Sequence, residues 1–229
     1  NFKKATKLIK KFLVAALTAV VFASSAEALS VKHDFTAFVG PFNASTAEFE
    51  YTLTKKSYAV RSVVRTNGTF GFLYPFEANY YTGGSIEGDR LETSAYRYTS
   101  QSRFNKRSKV MIYNEDGQPV FAVSSKNGRE KKKEIEATAD SKNTTNLQTV
   151  LAAIARQYNL VGFCDSRIPI FDGKRRFDAI FRDEGKEEIK ANEYSAFAGR
   201  AAKCSMYIDK LGAEGDDLLW QLSSDRPIY

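Results

Sequence analysis

Residues 46–66 read TAEFEYTLTKKSYAVRSVVRT and contain the pattern that decides the fold. In the first half Phe49, Tyr51 and Leu53 alternate with glutamate and threonine, which is the two-residue period of a strand with one buried face. Two lysines interrupt the alternation and it then resumes, so the stretch predicts two strands joined by a tight hairpin. Aromatic residues make up 13% of the 229-residue chain, which also favours sheet over helix.

The same alternation returns later in the chain, in residues 91–102, 107–117 and 175–184. Short strands separated by turn signals predict a mainly β fold, built as a single antiparallel meander. The segment RDEGKEE at 182–188 is interpreted as a further solvated hairpin turn. The dipeptides expected to supply the positive φ of tight turns are Asn67-Gly68, Gly83-Gly84, Asp116-Gly117 and Asn127-Gly128.

One segment departs from this pattern and predicts an amphipathic helix packed on the sheet. In residues 144–162 apolar side chains recur at helical spacing. Thr145 and Gln148 are spaced as a capping box at its start, and Gly162 is a plausible stop. The side chains predicted to face the sheet are Leu147, Val150, Leu151, Ile154, Ala155 and Tyr158.

Residues 1–28 have the composition of a secretory signal peptide. Five lysines precede a short apolar run, and small residues follow it, so we expect cleavage before Leu29. An uncleaved membrane anchor is the alternative. Residues 29–229 are then interpreted as a single β-rich domain. Because the chain stops at DRPIY within what resembles a strand, we expect the natural protein to continue beyond Tyr229.

The net charge and the number of cysteines limit which binding partners and which cellular compartment are expected. Five lysines and one glutamate lie in residues 1–28, so only +3 of the formal net charge of +7 remains for residues 29–229. That balance is weak for nucleic acid, and we expect no nucleic-acid partner. Cys164 and Cys204 form an even pair in a secreted chain, which predicts one disulfide, with two buried thiols as the alternative.

Candidate catalytic groups are scarce, so the sequence predicts no enzyme, no metal site and no cofactor. His33 lies near the expected mature N-terminus, where a preorganised triad or metal site is hard to build. No nucleophile-elbow, zinc-protease or phosphate-loop motif is present. A carboxylate-based hydrolase is kept as an alternative, and Asp172 or Asp178 would then be the catalytic acids.

The aromatic stretch GFLYPFEANYYTGG at 71–84 is the first candidate binding region. It is interpreted either as a core corner where the sheet bends or as the lip of an apolar cavity. The second interpretation assigns ligand binding to Phe70, Phe72, Tyr74, Phe76, Tyr80 and Tyr81.

A basic run, Lys174, Arg175 and Arg176, is the second candidate, and it follows the turn dipeptide Asp172-Gly173. Such residues at a hairpin base are usually a solvated strand end, and basic side chains there discourage edge-to-edge pairing. The alternative is an anionic lipid headgroup, because arginines can bind oxyanions with two hydrogen bonds.

Several segments together resemble a known family. They are Gly40 in FVG, GFLYPFEANYYTGG, YNEDGQP, the helix, IFDGKRRFD, AKCSMY and LLWQLS. The chain is similar to the bacterial envelope proteins grouped as the domain of unknown function 3108, over residues 33 to 229, and FDGKRRFD is its most specific piece. The resemblance implies a sheet curled into an open or spiral barrel, and an address in the Gram-negative periplasm. It implies no biochemical activity.

These observations lead to one functional expectation with two alternatives. We expect a non-catalytic periplasmic protein that does not span the membrane in its mature form. It would bind a lipid, another apolar ligand or an envelope component, and so maintain the envelope. One alternative is a scaffold that contacts an envelope protein through its surface or a strand edge. The hydrolase is the other.

Overall fold

The computed structural model describes residues 28–136, 138–173, 175–192, 197–212 and 226–228. They form a mainly β fold, as predicted. The predicted signal peptide, apart from Ala28, lies outside the described residues, and so does Lys174. The signal peptide, the single domain and the expected continuation beyond Tyr229 stay predictions.

Eight strands form one sheet in chain order. Every neighbouring pair is antiparallel. β1 and β8 are the two edges and do not pair with each other, so the sheet is an open meander, as expected for a curled sheet that does not close. The strands are β1 (Leu29–Val39), β2 (Phe42–Leu53), β3 (Ser57–Thr66), β4 (Phe76–Glu87), β5 (Arg90–Ser102), β6 (Lys106–Tyr113), β7 (Pro119–Lys126) and β8 (Arg129–Glu134).

The strands that follow the helix form a second, three-stranded sheet, which the sequence pattern alone did not separate from the meander. It contains β9 (Ser166–Phe171), β10 (Arg176–Ile189) and β11 (Gly199–Gly212), with β10 in the centre. The turn predicted at residues 182–188 is wrong, because β10 continues through it. A bulge takes its place: Gly185 has a φ of 85° and the pairing shifts between Asp183 and Lys186.

The described residues contain helical segments at three places. A short helix, α1 (Gly68–Leu73), occupies the aromatic stretch, where no helix was predicted. A 3-10 turn (Ala139–Ser141) precedes the main helix, α2 (Leu147–Val161). The predicted stop of α2 is confirmed, because Gly162 adopts the left-handed conformation and donates its backbone N–H to the Tyr158 carbonyl.

The start of α2 differs from the prediction in its cap and in its buried face. The N-cap is Asn146, whose side chain accepts a hydrogen bond from the Thr149 backbone N–H, so the proposed capping box of Thr145 and Gln148 is wrong. Its fully buried side chains are Thr149, Val150 and Ala152, whereas Leu147 and Leu151 are exposed. The helix is therefore rotated relative to its most apolar stripe.

The helix lies between the two sheets and contributes to the core of each. Ala152 packs in a cluster with side chains of the meander, and Val150 packs in a cluster with the second sheet. The meander cluster contains Tyr51, Leu53, Tyr58, Val60, Ile86 and Leu91. The second cluster contains Ile170, Phe177, Ala179, Phe181 and Ile208.

A group of buried hydroxyls fixes the first turn of α2 on the meander. We call Tyr58, Thr93, Thr145 and Thr149 the hydroxyl cluster. The Tyr58 hydroxyl lies 2.9 Å from both the Thr93 and the Thr149 hydroxyl oxygens, and Thr93 lies 2.9 Å from Thr145. These contacts explain the rotation of the helix, because they place the polar Thr149 against the sheet with its hydrogen bonds satisfied.

Candidate functional site: an apolar cavity beside helix α2

A cavity of about 590 Å³ lies where the two sheets and α2 meet. Its sides are the C-terminal half of α2, strand β9 and the turn between β4 and β5. This volume falls in the range of small-molecule sites, roughly 300–1,000 Å³, and such sites commonly form between packed elements.

The walls of the cavity are largely apolar. Leu160, Val161 and Phe163 form one wall at the end of α2, and each keeps about half of its surface exposed, at 62%, 53% and 46%. Ile168 on β9 also lines the cavity, and Leu91 and Ala153 contribute from the meander and the helix. An apolar ligand would remove this surface from water, which is the favourable term in such binding.

Local structure explains why this wall stays open. The left-handed Gly162 ends α2, so Leu160 and Val161 are its last apolar residues and Phe163 begins the return towards β9. The Cys164–Cys204 disulfide, which confirms the predicted pairing, then attaches this return to β11. The turn after the helix is thus fixed to the second sheet at a point next to Phe163.

The rim of the cavity is charged, but its arginines are engaged with neighbouring groups. Three arginines and three acids line it, so the formal charges balance. The arginine contacts are Arg90 to Asn143 (2.6 Å) and Glu92 (2.8 Å), Arg156 to the Gly88 carbonyl (3.0 Å), and Arg167 to Asp178 and Asp209. The rim therefore offers polar contacts without a strong net field for an anion.

The hydroxyl cluster borders the cavity through Thr145 and Thr149. Burial raises the pKa of the Tyr58 phenol, so this group stays protonated and acts as a hydrogen-bond donor or acceptor. The side chains of the cluster form hydrogen bonds with hydroxyls and an amide, and a hydroxyl nucleophile needs an adjacent base to be activated. The arrangement suits anchoring of the helix rather than acyl or phosphoryl transfer.

The aromatic side chains predicted to bind a ligand lie away from this cavity, on α1, its C-cap and strand β4. Phe72 and Tyr74 belong to α1 and its C-cap and are 76% and 72% exposed. Tyr80 is half-buried with its ring 5.0 Å from the ring of Tyr98. The residues of the predicted set that the structure places outside the cavity are Phe70, Phe72, Tyr74, Phe76, Tyr80 and Tyr81.

The two described residues of the basic run, Arg175 and Arg176, pair with carboxylates of the protein itself. Arg175 donates to the carboxylate of Asp172 across the hairpin, and its backbone N–H also bonds Asp172 at 2.8 Å. Arg176 and Arg167 pair with the two carboxylate oxygens of Asp178, which is buried. The FDGKRRFD segment thus closes the β9–β10 hairpin and joins it to β11 through Asp209, the second partner of Arg167. Arg175 and Arg176 lie outside the cavity.

Two further groups contain residue types that are common in metal or catalytic sites, but their surroundings do not suit such a role. Cys164, Asp183 and Cys204 cluster closely enough to hold a metal ion, but the two sulfurs are joined in the disulfide and are not thiolates. His33 is exposed on the edge strand β1, with its ring 6.2 Å from that of Phe35. Neither group lines the cavity.

Sequence reasoning missed the cavity wall, although one signal was available. Leu160, Val161 and Phe163 follow the predicted apolar stripe and straddle the helix stop, so they have no assigned place in a core. Apolar residues in such a position indicate an unfilled surface. The opposite wall and the rim come from residues distant in sequence and carry no such signal.

Comparisons with known proteins give a family and no relative of known function. A family model described as "Protein of unknown function (DUF3108)" matches residues 34–209. No curated protein and no solved structure matches the chain significantly. Among the described residues, no helix has both the length and the apolar character needed to cross a membrane.

Proposed function

This chain belongs to the DUF3108 family of proteins of unknown function, and we propose that it is a non-catalytic periplasmic protein that binds an apolar ligand. The observation that carries the proposal is the cavity beside α2, with its half-exposed wall of Leu160, Val161 and Phe163. This site replaces the aromatic stretch at 71–84 as the place where we expect the ligand.

The chemistry of the rim defines the class of ligand. Its arginines are paired and its charges balance, so an anionic head would find little net attraction there. The apolar walls favour a long uncharged group, such as an acyl chain. The hydroxyls and carbonyls at the border would accept a small polar end.

The non-catalytic part of the proposal rests on the state of the acids. A hydrolase would need a carboxylate that is open to substrate and matched to a partner. Asp172 and Asp178, the acids kept for that alternative, are each bonded to arginine. Such pairing favours a role in holding the hairpin over a role in proton transfer.

The periplasmic part rests on two independent features. The disulfide between Cys164 and Cys204 suits an oxidising compartment, because cytosolic reductants keep such thiols reduced. The first 28 residues have the composition of a secretory signal. Edman sequencing of the exported protein tests this part, and we expect a mature chain that begins at Leu29.

The test of ligand binding uses two leucines of the same helix. Leu160 lines the cavity, whereas Leu151 is similarly exposed but lies outside it. We expect Leu160→Lys to weaken binding of the neutral dye N-phenyl-1-naphthylamine about tenfold, since a buried leucine contributes roughly 1.5–3 kcal/mol. Leu151→Lys should leave the affinity unchanged. The measurement is a fluorescence titration of exported protein purified without detergent.

Mass spectrometry of organic extracts from the same preparations identifies the natural ligand. A stoichiometric apolar compound in the wild type and in Leu151→Lys, but not in Leu160→Lys, is the expected result. Equal dye binding by both variants, with clean extracts, would contradict the proposal. The scaffold role would then be favoured, with the exposed edge strand β1 as its structural candidate.

A further inference from the structure

The two ends of the meander differ in composition. Since the strands run up and down, the connections β1–β2, β3–β4, β5–β6 and β7–β8 share one end of the sheet. We call this the aromatic end and define it as residues 39–42, 66–76, 102–106 and 126–129. The opposite end consists of residues 53–57, 87–90 and 113–119.

The aromatic end displays apolar side chains that are largely exposed to solvent. Phe104 is 81% exposed and Phe42 58% exposed, in addition to Phe72 and Tyr74 described above. Val39 and Leu73 are about half exposed at the same end. In the connections of the opposite end the large apolar residues, Leu53 and Tyr113, are buried, and Leu29 at that end of β1 is 45% exposed. An exposed set concentrated at one end of a sheet marks an interaction surface.

Hydrogen bonds join the connections of the aromatic end to one another. The Asn67 backbone N–H at the start of α1 donates to the Ala44 carbonyl of β2 at 3.0 Å, and Arg103 donates to the Phe72 carbonyl at 2.7 Å. Asn127 accepts from the Lys106 backbone N–H at 2.7 Å. The exposed aromatic rings are therefore displayed on a continuous, ordered surface rather than on separate loops.

The charge of the aromatic end is of one sign. It contains four basic residues and no acidic residue, whereas the opposite end contains four acidic and three basic residues. In the described part of the chain the four basic side chains form no ion pair. They are Arg103, Lys106, Lys126 and Arg129.

We propose that the aromatic end docks on the surface of an anionic lipid bilayer. Aromatic and apolar side chains surrounded by lysine and arginine are the combination that inserts into the boundary between headgroups and acyl chains. The positive charge is complementary to anionic headgroups, whereas the opposite end, with a net charge of −1, would point away from them. This surface is separate from the cavity beside α2, so the proposal extends the proposed function without depending on it.

The test is flotation of the exported protein with vesicles of phosphatidylcholine, with and without phosphatidylglycerol. We expect the protein to float with the anionic vesicles, and Phe72→Ser with Phe104→Ser to lower the partition coefficient at least tenfold. Phe35→Ser is the matched control, since Phe35 is 59% exposed on β1 away from this end. It should float as the wild type does.

Charge and the identity of the partner are tested with the same vesicles. Lys106→Gln, Lys126→Gln and Arg129→Gln together should reduce flotation at low salt, and the difference should shrink as salt screens the headgroups. Leu160→Lys should float normally, which separates this proposal from the cavity. No flotation with anionic vesicles, or equal flotation of the phenylalanine variant, would overturn it. A concentration-dependent dimer lost in that variant would instead assign the surface to a second copy of the chain.

Discussion

Asp178 in the FDGKRRFD segment has a carboxylate that is almost completely buried, at 4% exposure, and that pairs with both Arg167 and Arg176. We expect Asp178→Asn to lower the free energy of unfolding by about 2–4 kcal/mol. The substitution leaves two guanidinium groups without this negative charge, one of them mostly buried. Urea denaturation followed by circular dichroism measures the effect.

Asp209 provides the matched control for that prediction, because its carboxylate also bonds Arg167, at 2.6 Å, but is 42% exposed. Asp209→Asn should change stability little, since water screens exposed pairs. If both variants lost the same stability, the buried position of Asp178 would not be what matters.

Single residues show which roles the sequence could disclose. The disulfide could be predicted, because a chain with two cysteines and a predicted secretory signal offers one possible pair. The pairing of Arg175 and Arg176 could not, since adjacent charges are usually solvated and Arg176 pairs with a carboxylate buried by the rest of the fold. A run of basic residues in the sequence does not indicate which carboxylates the tertiary structure places beside it.

At the scale of elements, the position of α2 depends on the hydroxyl of Thr149. This side chain is fully buried and lies 2.9 Å from the Tyr58 hydroxyl. We expect Thr149→Val to cost about 1–2 kcal/mol, because buried hydroxyl partners lose a hydrogen bond while the volume stays almost the same. Thr149→Ser keeps the hydroxyl and should retain that bond.

Amide hydrogen exchange locates the effect of these two variants. Faster exchange in α2 is expected for Thr149→Val, and a smaller change for Thr149→Ser. If the amides of α2 exchanged as slowly in Thr149→Val as in the wild type, the apolar contacts of Val150 and Ala152 alone would hold the helix in place.

The helix also shows why its existence is easier to predict than its buried face. Apolar spacing and the glycine stop were sufficient to place α2. Its rotation was not predictable, because Thr149 is buried by hydroxyl partners on β3 and β5 that lie 91 and 56 residues away in sequence. In the same way α1 was missed, since a single helical turn has no period to detect.

For the whole molecule, the class of fold follows from local alternation, but the division into two sheets does not. The alternating strands share the same two-residue period, and nothing in that period says which partner a strand pairs with. The separate sheet of β9, β10 and β11 creates the boundary at which the cavity opens. A site made at such a boundary has walls from three parts of the chain, so sequence spacing cannot reveal it.

Removal of the disulfide tests whether the two sheets unfold together. It closes a loop of 40 residues from the exit of α2 to β11, and the chain-entropy account gives about 4 kcal/mol for such a loop. We expect Cys164→Ser with Cys204→Ser to lose a large part of that stability. Hydrogen exchange should rise first in β10 and β11, while β3 to β5 stay protected, because the crosslink constrains only the second sheet.

Adding a reductant to the wild type should reproduce the change and leave the double variant unaffected. Simultaneous loss of protection in both sheets would instead mean that α2 and its two core clusters couple them into one cooperative unit.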